Sequence, residues 1–548
     1  MSLIFKRMKI NPKFVFLILT YFIINGINLN AELDSVRQKE INFAVKKFQY
    51  MLEIADKFHK DSLRIPEVSS AAFKAFLNSL DNQSIYYNKD EFTKINDANT
   101  GNSEGIGIEI VPLADTLTII KVIQHSPADS AGLQQGDKIL FINGQSAIAM
   151  AKSSADSMIA GEPGTKVQLI IKRQFGTSLL NEYIVERNEF NLPSLDAAFI
   201  IENTKIGYMK LSRFSSKTDE EINENLAKLS KKGMNTLIVD LRGNLGGVLN
   251  ATLSALSNFF PKDTKLLKIN AKYKDFDTVR NSEFEGKYQK LKLAVLVDKN
   301  SASASEIFAG VLQDYDRGLI IGENTYQKGT VQRIWNMVDG TGFRITIAEY
   351  ETPSGRRIQK PEDSLKHYET DPAFEMNASA EEKKRIKEMI KLTGGHTYFP
   401  IVTTQNGRYI IVRGGVVPDI QAVNDSINIL TKVLTKRGYF LEFVYNFLYS
   451  QKDELLKKYK EDFYKFNNEY KIDDNFLNDF KSFSLSKNVW NEEYYTQDKE
   501  YFRIYLKALI AYNLWGENGY RCVMMRWDKI VQTALNSLNR YESILQIH

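Results

Sequence analysis

The 548-residue chain has one cysteine, Cys522, and five histidines, at positions 59, 125, 367, 396 and 548. A single cysteine excludes a disulfide framework and any multi-cysteine zinc or iron–sulfur site. No two histidines have metal-ligand spacing, so no metal site is expected; no cofactor is expected either. Proline and glycine are scarce, at 12 and 31 residues, and hydrophobic residues make up 43%. That balance excludes a collagen-like or disordered protein. At about 150 residues per domain the length predicts three or four domains.

Acidic residues are missing from the start of the chain, the first being Glu32. Lys6, Arg7, Lys9 and Lys13 precede an apolar run of 11 residues, Phe14 to Ile24, and a polar stretch then ends at Ala31. This order is that of a secretory signal, residues 1–31, and the run is too short to span a bilayer unaided. An exported, periplasmic protein is expected, with membrane attachment only if the signal is retained. No cysteine lies near the cleavage region to carry a lipid. Removal of the segment lowers the net charge from +5 by four, to +1. A nearly neutral chain has no field to attract nucleic acid.

Composition divides the remainder. Residues 32–100 form a helical N-terminal region, in which the apolar residues Val36, Phe43, Phe48, Leu52 and Ile54 recur between charged ones. Residues 101–190 are short strands punctuated by glycine. Residues 191–427 alternate strand-like and helical runs, an α/β core, broken at 361–398 by a charged insertion containing Glu381-Glu382-Lys383-Lys384-Arg385. Residues 428–548 form a helical C-terminal domain with almost no glycine. The fold class is therefore multidomain α/β.

Gly105-Ile106-Gly107-Ile108 opens a strand, and its glycines free backbone N–H groups to face a ligand. Ser126-Pro127-Ala128, Ala131-Gly132-Leu133, Gly136-Asp137 and Ile142-Asn143-Gly144 follow. The series over 101–190 resembles a PDZ domain. Such domains take up a peptide's C-terminal carboxylate on glycine-loop N–H groups while the peptide adds as a strand. The resemblance assigns peptide binding to Gly105, Ile106, Gly107 and Ile108.

Three further loops each follow an apolar strand. Thr236–Asp240 leads into Leu241-Arg242-Gly243-Asn244-Leu245-Gly246-Gly247. Leu293–Val297 leads, past Asp298–Asn300, into Ser301-Ala302-Ser303-Ala304-Ser305-Glu306. Leu319–Gly322 leads to Lys328-Gly329-Thr330-Val331-Gln332. A serine at a strand-to-helix turn has an exposed hydroxyl beside unpaired N–H groups suited to an oxyanion. A lysine acts as a base only when neutral, and burial favours that state. Taken singly, the serine run is a helix cap and the lysine a solvated charge.

Together these segments resemble the C-terminal processing peptidases, or tail-specific proteases. Leu80-Asp81, Ser84-Ile85-Tyr86, Thr352-Pro353-Ser354-Gly355-Arg356-Arg357-Ile358-Gln359 and Gly414-Gly415-Val416-Val417-Pro418-Asp419 extend the likeness across about residues 40 to 420. The resemblance implies an α/β serine protease core with a Ser/Lys dyad. Ser303 would be the nucleophile, Lys328 the base and Gln332 the residue that orients the lysine. The oxyanion donors would be Ala304 and Gly247, with Gly246 as the alternative. Gln327 stands where the family has glycine, and Asn244-Leu245 replaces Asn-Pro. Proteins or peptides with apolar C-termini are the expected partners, with a homodimer or an adaptor left open. The competing reading is a non-catalytic PDZ-containing scaffold on the same core.

Overall fold

Apolar runs without alternation belong to strands buried on both faces. Three of them, Thr236–Asp240, Lys292–Val297 and Leu319–Gly322, lie parallel and adjacent in the middle of a six-stranded sheet. Ile206–Leu211 and Ile420–Gln421 flank them in parallel register, and Leu195–Ile200 closes one edge antiparallel. The consequence is positional: the three loops singled out in the sequence all leave the carboxyl ends of neighbouring parallel strands, where open α/β sheets form their crevices.

This computed structural model describes residues 35–547 apart from 114, 174–179, 360–371, 393–400, 412–413 and 461. The expected signal, residues 1–31, lies outside the described residues. The chain divides into two units at Leu80/Asp81. In the first, two helices are described, Ser35–Phe58 and Ile65–Asn78, the latter started by a proline in its first turn. No helix among the described residues is long and apolar enough to cross a membrane.

In the second unit, side chains alternate between the two faces of the core sheet. Met209, Leu237, Val239, Leu293 and Val295 pack under helices Thr218–Lys231, Leu249–Ser257 and Ala304–Asp314. Tyr208, Ile238, Ala294 and Leu296 face the other way, onto Cys522, Ile530, Val531 and Tyr541 near the C-terminus. A second sheet centred on Gly342–Glu351 pairs it with Thr330–Asn336, Lys265–Ala271 and Ile85–Tyr87.

The glycine-punctuated region forms a separate antiparallel sheet in the order Ile108–Leu113, Thr116–Val122, Lys138–Ile142, Lys166–Lys172, Leu180–Glu186. Its core includes Ile106, Ile110, Leu117, Ile119 and Val167. The described part of the charged insertion is helical, Pro372–Asn377 and Ala380–Leu392, and Phe374 and Ile386 pack with Ile401, Ile411 and Val417. The C-terminal helices hold an aromatic core in which Phe440 stacks on Phe480 and meets Phe502 edge-on.

Candidate active site

The glycine loop after Asp240 is fixed from below. The Asp240 carboxylate is fully buried and accepts hydrogen bonds from Tyr208 Oη at 2.7 Å and Arg242 Nη2 at 2.6 Å. Arg242 and Lys210 hold its pKa far below the usual carboxylate range despite burial. Arg242 also reaches Asp528 at the C-terminal end of the fold, Nη1 to Oδ1 2.9 Å.

Asn244 joins this loop to the serine turn. Its side chain accepts from Gly246 N–H at 2.9 Å, and its carbonyl accepts from Ala302 N–H at 3.0 Å and Ser305 Oγ at 2.9 Å. Gly246 has φ +97°, and a Cβ there would stand 2.6 Å from Ala302 O and 2.9 Å from Ala304 N. Only glycine allows that approach. The Gly246 N–H is committed to Asn244. Among the described residues the N–H groups of Gly247 and Ala304 have no acceptor.

The three serines separate by environment. Ser301 is buried and donates to Leu241 O at 2.9 Å, and Ser305 is buried and donates to Asn244 O. Ser303, half-buried at the start of helix Ala304–Asp314, lines a cavity of about 770 Å³. Its backbone lies at φ +55°, ψ −112°, costly for a residue with a Cβ and sustained only by its surroundings.

Lys328 lines the same cavity from the loop before strand Thr330–Asn336. Burial first, and then the Arg344 charge, push its amine down to about 8, while Glu306 acts in the opposite direction. Gln332 is also on the cavity wall, with its amide donating to Thr330 Oγ1 at 2.7 Å. Among the described residues no hydrogen bond joins Lys328 Nζ to Ser303 Oγ or to Gln332; catalytic contacts commonly tighten only around bound substrate.

Two buried side chains that the sequence reading left without a role tie the serine and lysine segments together. The Glu306 carboxylate accepts from Ser303 N–H at 2.9 Å, Lys328 N–H at 2.9 Å, Gln327 N–H at 2.7 Å and the Thr325 hydroxyl. Burial pushes it up to about 7 against those bonds. From the other side, Tyr350 Oη donates to Lys328 O at 2.7 Å and lies 3.4 Å from Ser303 O. Gln327 has φ +76°, so the position where glycine was expected does adopt the left-handed conformation. Gln359, in the Thr352–Gln359 motif, accepts Gly329 N–H at 2.9 Å and holds the loop's other end.

At the PDZ-type loop, Ile106 is only 1% exposed and belongs to the domain core. Its side chain therefore does not line an open pocket. The N–H groups of Ile106 and Gly107 have no acceptor among the described residues, and Ile108–Leu113 is an edge strand of its sheet. Gly107, at φ +79°, is required by packing, since a Cβ there would stand 2.3 Å from Ser126 Cβ. Gly105, at φ +132°, ends the strand paired with Asn188–Asn191 and has open space beside it.

A model of peptidase family S41 matches residues 205–365, and a PDZ domain model matches 94–172. Residues 430–516 match a family of unknown function, DUF8443. The carboxy-terminal processing protease CtpB of Bacillus subtilis is 30% identical over 341 residues, covering 61% of this chain and 69% of that protein. A carboxyl-terminal-processing protease of Synechocystis is 32% identical over 314 residues, covering 56% of this chain and 72% of its own. The chain belongs to the carboxy-terminal processing proteases. It is a serine-type peptidase of mixed α/β fold that carries a PDZ domain, and not a non-catalytic scaffold. Membership of the processing proteases also accounts for peptides as its class of substrate.

Proposed function

We propose that this processing protease is an exported endopeptidase in which Ser303 attacks and Lys328 is the base. The observation that carries the reading is the environment of Ser303. It alone of the three serines opens on the cavity shared with Lys328, beside two N–H groups without acceptors. Neutral Lys328 Nζ takes the Oγ proton as Oγ adds to the peptide carbonyl, and the N–H groups of Ala304 and Gly247 receive the oxyanion. The ammonium then protonates the leaving amine as the acyl-enzyme forms. Lys328, neutral again, takes a proton from the water that hydrolyses the ester. Gln332 serves as the orienting residue by exchanging its bond to Thr330 for one to Nζ. The PDZ domain recruits the substrate tail, with its carboxylate on the free N–H groups of Ile106 and Gly107 and its chain added along Ile108–Leu113. The basic-then-apolar order of residues 1–31 supports export to the periplasm.

Ser303→Ala, Lys328→Ala and the double variant should be almost equally inactive toward an unfolded protein substrate, because the pair acts as a unit. Ser301→Ala should retain most activity. Substantial cleavage by Ser303→Ala would end this reading. Peptides with a free apolar C-terminus should bind more tightly than their amidated forms, and equal binding would remove the tail-recognition half.

A further inference from the structure

The charged side chains around the Ser303 cavity are all cationic. Arg213, Lys328, Arg333 and Arg344 line it, and no Asp or Glu does. Arg333 is already engaged, its guanidinium lying over the rings of Phe276 at 5.1 Å and Trp335 at 5.6 Å. The other two arginines stand on different walls. Arg213 immediately precedes Phe214, whose backbone N–H donates to Gly246 O at 3.0 Å beside the oxyanion loop. Arg344 lies in the strand opposite Lys328's side, directly across from Ile334, and its charge acts on the lysine.

Neither arginine has an ion-pair partner among the described residues. Glu221, the acid that feels Arg213, spends its carboxylate on the N–H groups of Ser194 and Leu195. Arg344 uses Nε on Gln83 O at 3.0 Å and rests over Tyr87, which leaves its remaining N–H donors facing no carboxylate. A guanidinium is a planar fork suited to carboxylate oxygens, and two of them in one cleft, neither in ion-pair contact with a carboxylate, favour an anion. On the reading that Ser303 is the nucleophile, we infer that the cleft selects substrates presenting a carboxylate beside the scissile bond, gripped by Arg213 and Arg344. That group is either an acidic side chain or the terminal carboxylate of the chain being trimmed.

The test uses the full chain and one peptide series of fixed apolar sequence, with a single Glu moved through successive positions and Gln as its control, each peptide made free and amidated at its C-terminus. Binding is read by fluorescence anisotropy on Ser303→Ala, and kcat/KM on the active enzyme. Amidated peptides with Glu at the favoured position should bind about tenfold more tightly than their Gln counterparts. The preference should shrink as salt rises. Arg213→Gln and Arg344→Gln should each erode it, and Arg213→Glu should turn it toward a Lys-bearing peptide. A free-over-amidated preference that disappears in the double arginine variant identifies the terminal carboxylate as the occupant; one that persists belongs to the PDZ domain. Binding that favours Glu without any cleavage would overturn the nucleophile assignment and leave the cationic cleft standing. Equal binding of Glu and Gln peptides at every position, with no arginine-dependent effect of the free terminus, would overturn the inference.

Discussion

Acidification should switch this protease off through Lys328. Burial and the Arg344 charge bring its amine from the ordinary 10.5 down to about 8, so the neutral form that the proposed base requires is gained as pH rises. With that value about one-tenth of the lysine is neutral at pH 7, about one-hundredth at pH 6 and about nine-tenths at pH 9. The value of kcat/KM at pH 9 should therefore exceed that at pH 7 by about tenfold. Two other titratable groups face the same segments. Tyr350 is raised well above 10 by burial and stays neutral throughout. Glu306, pushed up to about 7, takes a proton below that pH and then competes with the N–H groups it accepts, so it adds a second loss on the acid side. Both ionisations act in one direction, and the limb below pH 7 should be steeper than one decade per pH unit. An internally quenched peptide gives kcat/KM, and labelling by a fluorophosphonate probe reads Ser303 reactivity without PDZ recruitment. In Arg344→Gln the rise should move to higher pH, because a charge that disfavours the ammonium has gone. A flat profile from pH 6 to 9, or activity highest near pH 5, would refute the lysine-base reasoning.

Replacing Glu306 by Gln should turn an NH₂ toward two buried N–H donors. At about 1–3 kcal/mol for each donor left unsatisfied, thermal melting should show a loss of roughly 2–6 kcal/mol, with Ser303 labelling slowed in parallel; a variant that melts and labels like the parent would exclude the coupling role. Gly246→Ala should cost at least about 1–2 kcal/mol in left-handed backbone strain and displace Ala304 N, lowering kcat by about a hundredfold, whereas a kcat near the parent's would show that the turn can yield. Gln327→Gly should leave stability within about 1 kcal/mol, because relief of strain is offset by a freer unfolded chain. Gln327→Val should melt clearly lower, and equal melting of the two would contradict the strain at this position.

The apolar strands of the core and the glycine-bearing loops behind them are local patterns. They require only that a strand be buried and a turn be tight, so they are legible without a fold. The mixed α/β class and membership of the processing proteases followed from them. Position Gln327 is instructive: the glycine expected there predicts left-handed backbone, and the glutamine adopts it because Glu306 accepts its N–H.

What escaped the sequence are contacts whose partners lie far apart along it. Glu306 reads as an ordinary charge in the first turn of a helix. Its partners Thr325, Gln327 and Lys328, 19 to 22 residues on, become its neighbours only when two parallel strands lie side by side. Tyr350 reads as one more alternating strand residue until pairing with Thr330–Asn336 brings it under the lysine loop. In the C-terminal region, helical spacing shows that each helix has an apolar face but not what covers it. The sheet supplies that answer: a parallel strand buried on both faces needs a second cover, and Cys522, Ile530, Val531 and Tyr541 provide it opposite Ile238 and Leu296. The apolar runs of the core strands marked side chains that leave water, whereas Val36, Phe43 and Ile54 of helix Ser35–Phe58 stay exposed at 57%, 70% and 40%; tertiary packing alone decided which apolar surfaces are covered.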